Sequence, residues 1–514
     1  MSILQTPHPT AVSDAPFSAR HPWWRVLVLC LLLLFSFALY VILIGAVPKS
    51  DNVNTPFLHV WMLCFLPYFA ACAFVLATKP ALGRWRWLEL GIILAGALIF
   101  RIMLLPLPPN LSRDSWRYLW DARALLHGYS PYVYAPGDKV LLPLRDNLIY
   151  ANSRYRNVPT LYPPGAQAVY LLSYLLAPSN LYFLKGLFVV FDMVTCGALV
   201  LLLGRKGLDP RRAIIYAWCP LPIVEFAIQG HVDVITLTFS ILAMLSATNT
   251  RPGGRVLTGI LIGLAALTKI YPILLLVVVV RRRDYALVIS CFAVIILGYL
   301  PFLIMGHGQA FGYFAGYASE QGQNGGVIQL LVRWLGDRQH IPLTTTIALE
   351  HIVDLVVISV VSLVVLVQRL RERISLEAAA LLLFGAVLSI SSHVFPWYTT
   401  ALLLWVPLLL MGGKMSIAAP GEPSLGKTPI TRASLSLWIT LVYTNLAIMA
   451  VWYFTCASIL GYFFSTARDW TVYYWLVYDP VMIALGAAAI IGIIHLFAFQ
   501  KGTHLAKRHT TISQ

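Results

Sequence analysis

Between Ser112 and Tyr134 the sequence reads SRDSWRYLWDARALLHGYSPYVY, which sets two carboxylates, three arginines and several aromatic rings in one short stretch. Similar groups recur later in short knots. Tyr162 precedes Pro163-Pro164, His231 and Asp233 stand in QGHVDV, Lys269 and Tyr271 in LTKIYP, and His393, Trp397 and Tyr398 in SSHVFPWYTT. A carboxylate such as Asp114 or Asp121 can act as a general base. Arg117, Arg123 and Lys269 can hold an anion or meet negative charge as it develops in a dry pocket. Tyr118, Tyr162, Trp397 and Tyr398 offer rings that can stack on a ligand.

Each group also has an ordinary structural role. Ser112 or Asp114 could cap a helix running from Ser115 to His127. Asp121 could pair with Arg117 or Arg123, Lys269 could snorkel to lipid headgroups, and Trp397 and Tyr398 suit an interfacial aromatic belt. The i, i+2 spacing of His231 and Asp233 does not align two ligands on a helix, and the seven cysteines fall inside apolar runs with no C-x-x-C spacing. No metal site and no cofactor is expected from this pattern.

The elements that carry these residues follow from composition. The 514 residues are 59% hydrophobic and only 11% charged, with mean hydropathy +0.77, well below the roughly 25% charge of soluble domains. The sequence therefore predicts an all-α polytopic membrane protein, because only helices satisfy their own backbone groups one segment at a time in lipid. Spans of about 20 apolar residues, some short or broken, are expected near 26–46, 58–77, 86–105, 181–203, 212–229, 232–248, 255–268, 270–280, 285–305, 345–368, 376–391, 396–411, 434–456 and 473–498, giving about fourteen crossings. The net charge of +16 does not imply nucleic acid. The basic residues lie in clusters between apolar runs, such as Arg211–Arg212 and Arg281 to Arg283, which is positive-inside punctuation.

With those clusters in the cytosol, both termini are cytosolic and the chain divides as follows: a polar tail over 1–25, three spans over 26–105, a large outer loop with interfacial helices over 106–180, a transmembrane core over 181–411, a cytosolic linker over 412–433, two spans over 434–498 and a basic cytosolic tail over 499–514. A helix from Gly165 to Ala177, entered through Pro163-Pro164, is too short to cross. The stretch Val327 to Leu335 dips back from a second outer region, Gly306 to Thr344. On this topology Asp114, Arg117, Asp121, Arg123, Tyr162, His231, Asp233, Lys269, His393, Trp397 and Tyr398 all reach the outer face.

In order, D-x-x-R-Y-x-x-D (Asp114, Arg117, Tyr118, Asp121), G-Y-S-P-Y (Gly128 to Tyr132), Y-P-P (Tyr162 to Pro164), G-H-x-D (Gly230 to Asp233), L-T-K-x-Y-P (Leu267 to Pro272) and F-P-W-Y (Phe395 to Tyr398) resemble the bacterial GT-C superfamily of integral-membrane glycosyltransferases, in particular the polyprenol-phosphate-mannose-dependent alpha-mannosyltransferase-like group. The resemblance covers roughly 86–411. It implies that Asp114 is the catalytic base, that the donor is a polyprenyl-phosphate-linked hexose with mannose favoured, and that the acceptor is a lipid, glycan or protein at the outer face of the cell (inner) membrane. It also implies transfer with inversion at the anomeric centre. Two other classes remain: a transporter or lipid-linked-sugar flippase, which requires access from both sides, and a non-catalytic assembly subunit with an inherited fold. An enzyme requires a cavity open only outward and sideways to lipid.

Overall fold

Inside lipid a backbone N–H or C=O has no water to turn to, so an apolar chain closes its own hydrogen bonds as helix. The computed structural model, which describes residues 23–48, 55–249, 251–320, 322, 324–411, 432–467 and 470–510, is all-helical, with no strand among the described residues. Most of the expected N-terminal tail, nearly all of the linker at 412–433 and the last four residues of the basic tail lie outside those residues.

Three helices come first, α1 (Trp23–Gly45), α2 (Thr55–Ala77) and α3 (Arg84–Leu104). They are followed by α4 (Asp114–Leu126) and α5 (Pro164–Leu176). Next come α6 (Leu181–Arg205), α7 (Pro220–Ala227), α8 (Asp233–Ala247), α9 (Pro252–Ala266) and α10 (Tyr285–Met305). The chain continues through α11 (Val327–Arg338), α12 (Leu343–Leu370), α13 (Leu376–Ser389) and α14 (Pro396–Leu409), and ends with α15 (Leu435–Ala457), α16 (Leu460–Ala467) and α17 (Trp470–His495). Among the described residues, eight are long and apolar enough to cross a membrane: α1, α2, α3, α6, α10, α12, α15 and α17.

The remaining six expected spans are shorter or broken. Helices α8, α9 and α13 have 15, 15 and 14 residues. The segments expected at 212–229 and 270–280 are each divided into short helical pieces, at Pro220 and after Tyr271-Pro272. Proline supplies no backbone donor and clashes with the preceding turn, so it starts helices here and does not continue them. Lipid would punish such breaks, but Pro210 to Thr238 is buried without interruption inside the bundle, where neighbouring helices receive the freed polar groups.

Several charged residues inside the helices are paired. Arg101 of α3 meets Asp192 of α6 at 2.6 Å, and Tyr216 donates to the same carboxylate at 2.7 Å. Glu89 meets Arg211 at 2.8 Å, and Gln329 donates to Asp354 at 3.0 Å. One end of the bundle gathers the basic clusters into such contacts, with Lys206–Glu377 at 2.6 Å, Arg255–Asp284, and Arg369 donating to the Val278 carbonyl at 2.9 Å. The opposite end gathers the turns that hold Asp114, His231, Lys269 and His393.

Candidate active site

Helix α4 begins where the chain leaves α3, and Gln229 fixes that start. Its side-chain carbonyl accepts the backbone N–H groups of Asn110, Leu111 and Ser112 at 3.1, 3.0 and 3.3 Å. The turn preceding α4 is thereby tied to the turn preceding α8. Gly230, at φ +70°, lets the two approach: a Cβ there would lie 3.0 Å from the Lys185 Cγ and 3.2 Å from the Ser115 Cβ. Asp114 is not the cap of α4. Ser112 Oγ accepts the Asp114 N–H at 3.3 Å, and the Asp114 carboxylate faces a cavity.

That cavity measures about 330 Å³. Of the residues singled out from sequence, Asp114, Arg117, Tyr162, His393, Trp397 and Tyr398 form part of its wall. His231, Asp233 and Lys269 stand directly behind it. The His231 ring stacks on Trp397, with centroids 3.7 Å apart and planes 12° apart. Its Nδ1 lies 3.9 Å from Asp114 Oδ2, and its Nε2 lies 3.3 Å from Glu225 Oε2. Lys269 Nζ pairs with Asp233 Oδ1 at 2.9 Å and sits 4.0 Å from the centroid of the Tyr398 ring, so the charge is held as an ion pair against an aromatic face and does not snorkel to headgroups. Helix α5 braces this turn through the Gly165 N–H, which donates to the Leu267 carbonyl at 2.7 Å.

Three residues lie elsewhere. Tyr118 and Asp121 are buried behind the wall, Tyr118 stacked on Tyr170 at 4.4 Å and donating to the Tyr162 hydroxyl at 3.2 Å. Arg123 points away from the cavity, to Asp146 at 2.8 Å, the Tyr174 hydroxyl at 3.0 Å and the Leu144 carbonyl at 3.0 Å. Arg117 touches the cavity but is occupied. Its Nε meets Asp121 at 2.7 Å, and its two terminal nitrogens donate to the carbonyls of Tyr155 and Val158 at 2.6 and 3.0 Å, so it clamps the wall.

Sequence reasoning passed over Arg154, which lines the cavity and makes no salt bridge among the described residues. Its signal was present in SRYRNV, one more basic residue in the same loop. Also passed over were Glu320, which meets His393 Nε2 at 3.2 Å, and Tyr462, whose hydroxyl donates to Glu225 at 2.9 Å from a segment 237 positions away. The C-terminal helices, outside the family-typical region, thus complete the wall with Tyr462, Trp470 and Tyr473.

The electrostatics around Asp114 are mixed. Burial pushes its carboxyl above the usual carboxylate range, and Asp233 adds to that, while Lys269, Arg154 and the Ser112 hydroxyl pull it back part of the way. Burial, reinforced by Lys269, pushes His231 well below its ordinary value, which favours the neutral imidazole. Among the described residues, no group of three or more His, Cys, Asp or Glu is arranged to hold a metal ion.

No curated protein and no solved structure matches the chain significantly. Residues 160–396 match glycosyltransferase family 87, a stretch that begins after Asp114 and includes Tyr162, the His231–Asp233 turn, Lys269 and His393. Over that stretch the chain is similar to a family of glycosyltransferases, and its long apolar helices make it a multi-span helical membrane protein.

Proposed function

We propose that the protein transfers a hexose, with mannose favoured, from a polyprenyl-phosphate donor to a lipid, glycan or protein acceptor at the outer face of the membrane, with inversion at the anomeric carbon. The observation that carries this reading is the Asp114 carboxylate, which stands on the wall of a cavity of about 330 Å³ lined by aromatic rings, with Arg154 on the same wall.

The acceptor hydroxyl gives its proton to Asp114 as its oxygen attacks the anomeric carbon, while the bond from that carbon to the phosphate oxygen breaks. The leaving group departs as an anion and needs no proton, so one base suffices. Arg154 is the cation on hand for that phosphate. Lys269, neutralised by Asp233, acts through its field on Asp114. Arg117 and Arg123 hold the scaffold. Trp397, Tyr398 and Tyr162 present faces on which sugar rings can pack, and a carboxylate at the first turn of α4 is favoured in its charged form by the helix dipole.

The test is transfer by purified full-length protein from a panel of polyprenyl-phosphate sugars, read as release of polyprenyl phosphate. Consumption of the mannose donor above the others supports the reading. Consumption of nucleotide sugars instead, with no lipid-linked sugar used, contradicts it.

A further inference from the structure

The role of Asp114 as base leaves a question of where its proton goes, and two buried groups outside that role lie in line with it. His231 is fully buried between Asp114 and Glu225, its Nδ1 3.9 Å from Asp114 Oδ2 and its Nε2 3.3 Å from Glu225 Oε2. Neither ring nitrogen has a hydrogen-bond partner in the resting arrangement. Such orphaned nitrogens, each aimed at a carboxylate, are expensive to bury for packing alone. The ring itself is held by its stack on Trp397, which continues to Phe395 at 4.6 Å and 3°. Glu225 is fully buried and accepts from the Tyr462 hydroxyl, and Tyr462 in turn lines the cavity.

We propose that His231 and Glu225 form a relay that takes the proton from Asp114 during glycosyl transfer. The proposal rests on Asp114 being the base. With Nε2 protonated and Nδ1 bare, the imidazole receives the proton from the Asp114 carboxyl at Nδ1 and gives the Nε2 proton to the Glu225 carboxylate. One proton enters and one leaves. The net change is that the acceptor's proton moves to Glu225, Asp114 is an anion again, and His231 has changed tautomer, to be reset when the proton returns to the cavity after product release. The relay therefore works while the sugar product and lipid phosphate still cover the Asp114 carboxylate, whose side chain is 18% exposed.

The charged and titratable groups that face this line are Asp114 and Arg154 from the loop side, Lys269 and Asp233 from the turns after α9 and before α8, Lys185 of α6 against Gly230, and Tyr462 of α16.

Two conservative variants separate chemistry from packing. His231→Phe keeps a ring on Trp397 but removes both nitrogens, and Glu225→Gln keeps an acceptor for Tyr462 but cannot take a proton as the carboxylate does. Each is assayed as full-length protein with polyprenyl-phosphate mannose across pH, alongside Asp114→Asn. The relay predicts that both variants lose kcat by on the order of tenfold or more with donor KM and thermal midpoint near wild type, and with an altered pH profile of kcat. Wild-type kcat and pH profile in both, with Asp114→Asn inactive, overturns the relay and leaves the base. Loss of kcat only in step with raised KM and lowered thermal midpoint also overturns it. Full activity of Asp114→Asn removes the base itself.

Discussion

Asp114, as base, and Arg123, as a phosphate-binding cation, were both candidates for chemistry in one stretch of sequence, and their surroundings separate them. Asp114 faces a cavity, whereas Arg123 is consumed by Asp146, Tyr174 and the Leu144 carbonyl. Residue types within a loop announce that polar groups are needed. They do not say which way each side chain points, and for that reason Arg154 was passed over while Arg123 was chosen. The pH behaviour follows from the same surroundings. As the proposed base, Asp114 acts when ionised, and burial raises its pKa, so the proposal predicts activity at high pH that is lost as pH falls through that raised value. Lys269 is among the groups that pull it down. Lys269→Met should therefore move the acid limb of the kcat profile to higher pH; an unmoved or lowered limb would exclude Lys269 from this role. Arg117 has a different task. Arg117→Ala leaves Asp121, 1% exposed, without its charged partner, and removal of one member of a buried pair costs about 3–5 kcal/mol. Thermal unfolding in detergent should show a clear drop.

At the scale of the elements, hydropathy revealed the long helices because a run of some 20 apolar residues has one reading in lipid. It also revealed α5, entered through Pro163-Pro164 and ending short of a crossing. The short pieces between Pro210 and Val279 were read as spans because a buried apolar segment and a lipid-facing one have the same composition. Contacts between distant segments left no local trace, and the pairing of Glu225 with Tyr462 is the clearest case. One such contact can be tested directly. A Cβ on Gly165 would lie 2.8 Å from the Leu267 carbonyl oxygen, where α5 docks on the turn that carries Lys269. Gly165→Val should push that turn away and lower kcat by roughly tenfold, since small misplacements near a reacting centre are amplified. An unchanged rate would show that α5 does not position Lys269.

For the whole molecule, the two ends differ in character. One end gathers the basic clusters into ion pairs and carbonyl contacts, and the other gathers the aromatic cavity with its carboxylates. We propose, from the positive-inside rule, that the basic end lies in the cytosol. The orientation predicts that a membrane-impermeant maleimide applied from outside labels Tyr155→Cys, at a position 62% exposed, and labels Arg282→Cys only after permeabilisation. The reverse pattern would put the cavity on the cytosolic face and rule out transfer at the outer one.

The central claim is that Asp114 takes the acceptor proton. Its most direct test is the rate of sugar transfer by Asp114→Asn, which keeps the size and the Ser112 contact of the side chain but removes its basicity, measured beside wild type with wild-type thermal midpoint and donor binding verified. The account predicts a fall in kcat of about 10²- to 10⁴-fold or more with donor binding retained. Transfer at the wild-type rate by that folded variant would contradict it.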